Sequence, residues 1–251
     1  MTDSDRPAPP VIGKVHAQRL REVYRSAGWP CQDGVELELL AAGLLQRVRS
    51  DGGHETLRLT DEGIALVARQ MASNRAAFDA HEALVERVAQ QAARAGRIAW
   101  RGLKLRAQVP GDAPDALKWV LAKPDVFSIR NTSVAEYVEP VVHEVKVRRA
   151  DLLGDLRRPA KRAAYLHLGE CWYVLGQDAK GRPIGEPDEV PAECGVIMAT
   201  GDRLQVARPA TPHPRSGLPF TVWMALAKAT PLELPGQAEA QGVLVPLDDG
   251  G

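Results

Sequence analysis

Along the first part of the chain, apolar positions recur at helical spacing. Residues 15–28 place Leu20, Val23 and Tyr24 on one side of a 3.6-residue repeat, and Gly28-Trp29-Pro30 ends the run. Residues 35–42 read as a second helix, with Gly43 placed to cap its C-terminus. The period then shortens to two. Residues 44–48 form a short strand, Ser50-Asp51-Gly52-Gly53 a turn, and residues 55–59 alternate and pair back. Thr60 can cap a helix that begins Asp61-Glu62, an acidic first turn that suits the helix dipole. Residues 71–94 are alanine-rich, carry Phe78, Leu84, Val85 and Val88, and continue as helix.

From Arg97 onward strand patterns dominate. Residues 98–109 read as one long or bent strand, 110–114 as a loop, and 126–129 and 138–147 as a second and third strand. Residues 151–168 read as a helix, with Pro159 near its first turn or kinking it. A fourth, apolar strand covers 172–175, followed by a Gly/Pro-containing loop over 177–191. A hairpin around Gly201-Asp202 joins 195–198 to 203–207, and a last helix covers 218–228. The expected organisation is a disordered lead-in at 1–10, a small domain over 11–75, a larger α+β domain over 76–232 and a weakly structured tail over 233–251.

Composition adds limits. The chain has 251 residues, 45% hydrophobic and 25% charged, as soluble globular proteins do. No apolar run approaches the roughly 20 residues that cross a bilayer, and the polar N-terminus has no signal-peptide core. No membrane partner is expected, and the cytoplasm is the expected location. Cys31, Cys171 and Cys194 lie far apart and match no zinc spacing. Formal net charge is zero, so its distribution matters more than its total. Residues 91–110 hold five basic residues (Arg94, Arg97, Arg101, Lys104, Arg106) and no acidic one. Residues 146–162 hold seven basic residues against Asp151 and Asp155. Such blocks suit phosphates, though alone they read more readily as solvated charged faces.

The chemistry concentrates in two short segments. Pro124-Asp125 opens the second strand, and Glu144-Val145-Lys146 lies in the third, with Glu144 19 residues after Asp125. Strand alternation puts Glu144 and Lys146 on one face and His143 on the other, where a buried structural histidine is expected. Asp125, on an antiparallel neighbour, reaches the face of Glu144. Two carboxylates so close repel, and a divalent cation with oxygen ligands, Mg²⁺ or Mn²⁺, relieves the repulsion. The Val145 carbonyl can add a ligand, and Lys146 can position a metal-bound water or stabilise developing charge. Taken singly, Glu-x-Lys is also a common exposed cross-strand pair. The flanks of Val141-Val142-His143-Glu144-Val145-Lys146-Val147 are too apolar for an ordinary exposed strand, and charges in a buried strand have a partner or a task.

In the frame helix, three strands, helix, strand, this Pro-Asp … Glu-x-Lys arrangement resembles the signature of PD-(D/E)XK nucleases, over roughly residues 78–207. The resemblance implies a restriction-endonuclease-like mixed sheet flanked by helices. It also implies metal-dependent hydrolysis of DNA phosphodiester bonds, in repair, restriction or defence. Asp125, Glu144 and Lys146 would be catalytic, with Asp125, Glu144 and Val145 at the metal. Members often add a glutamate from the preceding helix, here Glu82 or Glu86. Lys161-Arg162-Ala163-Ala164-Tyr165 resembles the Gln-x-x-x-Tyr motif of RecB-like members, with Lys161 in place of glutamine. Arg149 and Lys161 are the leading expected phosphate contacts. Lys161 and Tyr165 share a face that can point at the site or the DNA backbone, and Tyr165 reads at least equally as plain core.

Residues 11–68 resemble winged-helix regulators of the multiple-antibiotic-resistance type. They share a Gly-Leu exit from a helix, a two-stranded wing and a Leu-Thr-x-x-Gly entry into the next helix. The segment before the wing is too short for a full helix-turn-helix pair, which leaves phosphate contact, dimerisation or packing open beside DNA reading. Implied partners are DNA and a second copy or a recruiting protein. The alternative function is a catalytically silent winged-helix factor that binds DNA or protein.

Overall fold

Two helices, a hairpin and the start of a third helix make up the first unit of the computed structural model, which describes residues 11–111, 116–212 and 217–234. The expected lead-in 1–10, residues 112–114 of the expected loop and the tail from 235 lie outside the described residues. The chain divides into two compact units between Ala76 and Ala77. Helix α1 (Lys14–Arg25) and helix α2 (Gly34–Ala41) precede strands β1 (Leu45–Arg49) and β2 (Glu55–Leu59), and helix α3 (Asp61–Arg94) follows. The first unit closes on Leu20, Val23, Leu39, Leu44, Leu45, Leu57 and Val67.

Local chemistry fixes these elements. Asp33 Oδ1 accepts the Glu36 amide at 2.9 Å and caps α2. Thr60 Oγ1 accepts the Gly63 amide at 3.1 Å and caps α3. Glu36 is fully buried and accepts from the amides of Cys31 and Gln32, at 2.6 and 2.8 Å, and from Arg47 at 3.0 Å. Gly28 needs its positive φ of 74° and its missing side chain, because a Cβ there would meet the Leu57 carbonyl at 2.1 Å. α3 is a single 34-residue helix that crosses the division between the units.

The second unit is a mixed sheet flanked by helices. Its strands are β3 (Arg97–Arg101), β6 (Val126–Arg130), β7 (Val141–Lys146), β8 (Glu170–Leu175), β9 (Gly195–Thr200) and β10 (Arg203–Arg208). They lie in the order β10-β9-β8-β7-β6-β3. β7 pairs with β6 antiparallel and with β8 parallel. Between β7 and β8 the chain forms α4 (Arg149–Leu156) and α5 (Pro159–Leu168), and α6 (Phe220–Ala227) closes the described fold. Val142, Tyr173 and Leu175 face the core that holds α4, α5 and α6. Val126, Val145 and Val174 face Leu84, Val85, Val88 and Ala89 of α3. No helix among the described residues is long and apolar enough to cross a membrane.

Three expectations are corrected. The single strand over 98–109 breaks at Gly102, where φ is 62°. Its second half, β4 (Leu105–Pro110), leaves the large sheet to pair with β5 (Leu117–Ala122), a strand that the apolar pattern did not reveal. The helix over 151–168 is two helices, because Pro159 has no amide proton to donate and its ring clashes with a carbonyl one turn back, so it starts α5 at N1. The third strand starts at Val141 rather than at 138, after a 3₁₀ turn at Ala135–Tyr137 and a left-handed Glu139 (φ 42°).

Candidate active site

Asp125 lies one residue before β6. The β6–β7 register, with Val126 opposite His143, sets it beside Glu144 and Val145. Asp125 Oδ2 accepts the Val145 amide proton at 2.7 Å, which ties the carboxylate to the strand. His81 of α3 approaches from the other side, with Nε2 3.5 Å from Asp125 Oδ2 and Nδ1 3.2 Å from Glu82 Oε1. The Asp125 contact raises the His81 imidazole above its ordinary pKa.

Glu144 is only 3% exposed. Its Oε1 accepts from the Lys146 ammonium and from Lys161 Nζ at 2.6 Å. Its Oε2 accepts from the Tyr165 hydroxyl at 2.7 Å. The same hydroxyl lies 2.9 Å from the Lys123 carbonyl, so one proton serves two acceptors. Burial, reinforced by the Glu144 charge, holds the Tyr165 pKa far above the usual phenol value, which makes Tyr165 a permanent donor.

Behind Glu144 lies a second buried carboxylate, Asp155. Lys161 Nζ reaches its Oδ1 at 2.5 Å, the Tyr173 hydroxyl donates to Oδ2 at 2.8 Å, and Lys146 Nζ is 3.9 Å away. Burial opposes the Asp155 charge, but Lys146 and Lys161 outweigh it and hold the carboxyl below its ordinary pKa. Burial likewise opposes the Lys161 charge, and Glu144 and Asp155 outweigh it upward. Two carboxylates and two ammonium groups thus balance within one cluster, which offsets the cost of taking Glu144 and Asp155 out of water.

Asp125, Glu144 and Lys146 therefore come together, and Lys161 and Tyr165, four residues apart on α5, both point at Glu144. Other expected placements change. Tyr165 is fully buried, so it is not a phosphate contact. Lys161 faces carboxylates. Glu82 is held by Arg101 Nη2 at 2.8 Å, and Glu86 by the same guanidinium. Arg149 binds Glu189 through both terminal nitrogens, at 2.5 Å each, which ties α4 to the turn at Pro187–Glu189. Val145 contributes its amide to Asp125, and its side chain is buried against α3. His81 and Asp155 were not singled out from sequence. The only signal for Asp155 is its position three residues after Leu152, on the buried face of α4.

Asp125 and Glu144 are oxygen donors of the kind that Mg²⁺ and Mn²⁺ take, with water and phosphate completing the shell. Among the described residues no three His, Cys, Asp or Glu side chains form a ready ligand cluster. Such a site does not need one. Beside Glu144, the lysines supply the positive charge that a cation would otherwise bring.

No protein-family model matches the chain, and no curated protein does. Among solved structures, the chain is similar to the SPO1766 protein of unknown function from Silicibacter pomeroyi. The match has 22% identity, covers 58% of this chain and 80% of that one, and has a TM-score of 0.36.

Proposed function

We propose that the protein is a metal-dependent nuclease that hydrolyses DNA phosphodiester bonds. In this reading the second unit is a restriction-endonuclease-like PD-(D/E)XK domain and the first a winged-helix-like domain. The observation that carries the reading is the convergence of Asp125, Glu144 and Lys146 at one end of β6 and β7, with Asp125 bonded to the strand that bears the other two.

Asp125 and Glu144 would hold Mg²⁺ or Mn²⁺, with the Val145 carbonyl as a further oxygen. When bound, the ion acidifies a water and neutralises charge on the scissile phosphate. Lys146, which rests on Glu144, would stabilise the negative charge that builds on the phosphate. Tyr165 and Lys161 fix the orientation of Glu144 from behind, and Asp155 holds Lys161. With Arg149 committed to Glu189, Arg157 and Arg158, exposed at the corner between α4 and α5, are better placed to meet phosphates.

A second reading has its own observation. Both oxygens of Glu144 already have protein donors, and the charges balance without an ion. A catalytically silent core beside a winged-helix DNA- or protein-binding unit would use the cluster purely as a scaffold. Cleavage of linear duplex, circular duplex, single-stranded, branched DNA and RNA, with Mg²⁺ or Mn²⁺, separates the two. Cleavage that is lost with EDTA and in Lys146→Ala supports the nuclease. No cleavage of any substrate, with salt-sensitive DNA binding retained, supports the silent factor.

A further inference from the structure

The β4–β5 ribbon stands apart from the six-stranded sheet, and its two faces differ sharply. On the inner face Leu105, Ala107, Val109 and Ala122 are buried in the core shared with α5 and α6. On the outer face Leu117, Trp119 and Leu121 form a row at every second position and are 62%, 52% and 57% exposed. Opposite them, Arg106 pairs with Leu121 and Gln108 with Trp119. Side chains two apart on a strand stand on one face roughly 7 Å apart, so these three make one apolar line.

The charge beside this line is positive. Lys104 and Arg106 are exposed, and neither strand of the ribbon carries an acidic residue; Asp112 and Asp115 belong to the connection between them. Two copies placed face to face would bring these basic side chains together with no strand carboxylate to meet them. An apolar line edged by cations fits a partner that offers flat apolar surfaces and negative charge along one direction. Unpaired nucleotides supply both, as bases and phosphates, whereas a duplex keeps its base faces stacked inside.

We propose that the outer face of the β4–β5 ribbon is a stacking platform for single-stranded nucleic acid, with a base on Trp119 and phosphates at Arg106 and Lys104. The inference rests on the nuclease reading for its purpose, because only Lys123 and Pro124 separate β5 from Asp125. Six Cα steps from Trp119 to Asp125 span at most about 22 Å. The Lys123 carbonyl, which accepts from Tyr165, pins that short connection to α5. A strand laid on the ribbon would thus be held beside the candidate cleavage site, and the preferred substrate would carry an unpaired segment.

The test is binding of the whole protein, in EDTA, to labelled oligothymidylate and to a blunt duplex of equal length, by fluorescence anisotropy. The expected result is tighter binding of the single strand with quenched tryptophan emission. Trp119→Ala is expected to weaken single-strand binding about tenfold and leave duplex binding unchanged, while Trp119→Phe retains most of it. Matching circular dichroism melts exclude misfolding. Unchanged single-strand affinity in Trp119→Ala overturns the proposal. So does light scattering that shows a dimer in the parent and a monomer in Trp119→Ala, which would give the face to a second copy. Metal-dependent cleavage that survives while Trp119 proves irrelevant sinks the platform alone. Trp119-dependent binding without cleavage of any substrate sinks the nuclease reading and leaves the platform standing.

Discussion

Tyr165 donates its hydroxyl proton to Glu144 at 2.7 Å, and both residues are buried. Tyr165→Phe keeps the ring in the core and removes only that donor. It strands a carboxylate oxygen away from water, and the expected cost is about 1–3 kcal/mol. Urea unfolding should show a lower midpoint with an unchanged slope. Under the nuclease reading, cleavage should also fall without vanishing, because Lys146 and Asp125 remain.

The lysine pair makes a sharper prediction. Two carboxylates without partners would repel, and removing one would then stabilise the fold. Here Glu144 and Asp155 are each paired with an ammonium, so the sign reverses. Lys161→Met is expected to destabilise by about 3 kcal/mol, the low end for a broken buried pair, because its side chain is partly exposed. Adding Asp155→Asn should recover part of that loss. Thermal melts of the two single variants and the double variant give the coupling directly.

Under the nuclease reading, Asp125→Asn, Glu144→Gln and Lys146→Ala are each expected to abolish metal-dependent cleavage. Asp125→Asn and Glu144→Gln should also weaken Mn²⁺ binding, measured by calorimetry. Lys146→Ala should not, because Lys146 is not a ligand. Retained cleavage in Lys146→Ala would remove it from the chemistry.

His143 sits on the opposite face of β7 from Glu144, and its Nδ1 is buried with no hydrogen-bond partner among the described residues. Burial, with Arg97 nearby, pushes its pKa down from 6.5 to about 4. Between those values the unfolded chain binds a proton that the folded chain does not. Stability should therefore be full above about pH 6.5 and decline as pH falls toward 4, by roughly 3 kcal/mol. In His143→Gln this part of the pH dependence should flatten, as read from melts across the range.

The sequence pattern revealed one face of the site well. Alternation along a strand is enough to put Glu144 and Lys146 together, and helical spacing is enough for Lys161 and Tyr165. It did not reveal partners that depend on how elements meet. His81 reaches Asp125 only because α3 packs on the Val145 face, and Arg101 claims Glu82 and Glu86 only because β3 runs beside the same helix. β5 escaped for a different reason. Five of its six residues are apolar, so no alternation marks a buried face, and Leu117, Trp119 and Leu121 point outward. The break at Gly102 was hidden because residues on both sides continue a strand-like pattern.

Pro159 has no group that takes part in any of this chemistry, yet it decides which charges meet. In one unbroken helix, Asp155 and Lys161 would lie about 120° apart around the axis and roughly 9 Å apart along it, too far to pair. The corner before Pro159 turns α5 so that the lysine returns to the aspartate. The pairing is therefore encoded as a chain length rather than as a side chain. Replacing Arg157 or Arg158 leaves that length intact, whereas inserting or deleting one residue between Leu156 and Pro159 would reshape the corner and direct Lys161 away from Asp155.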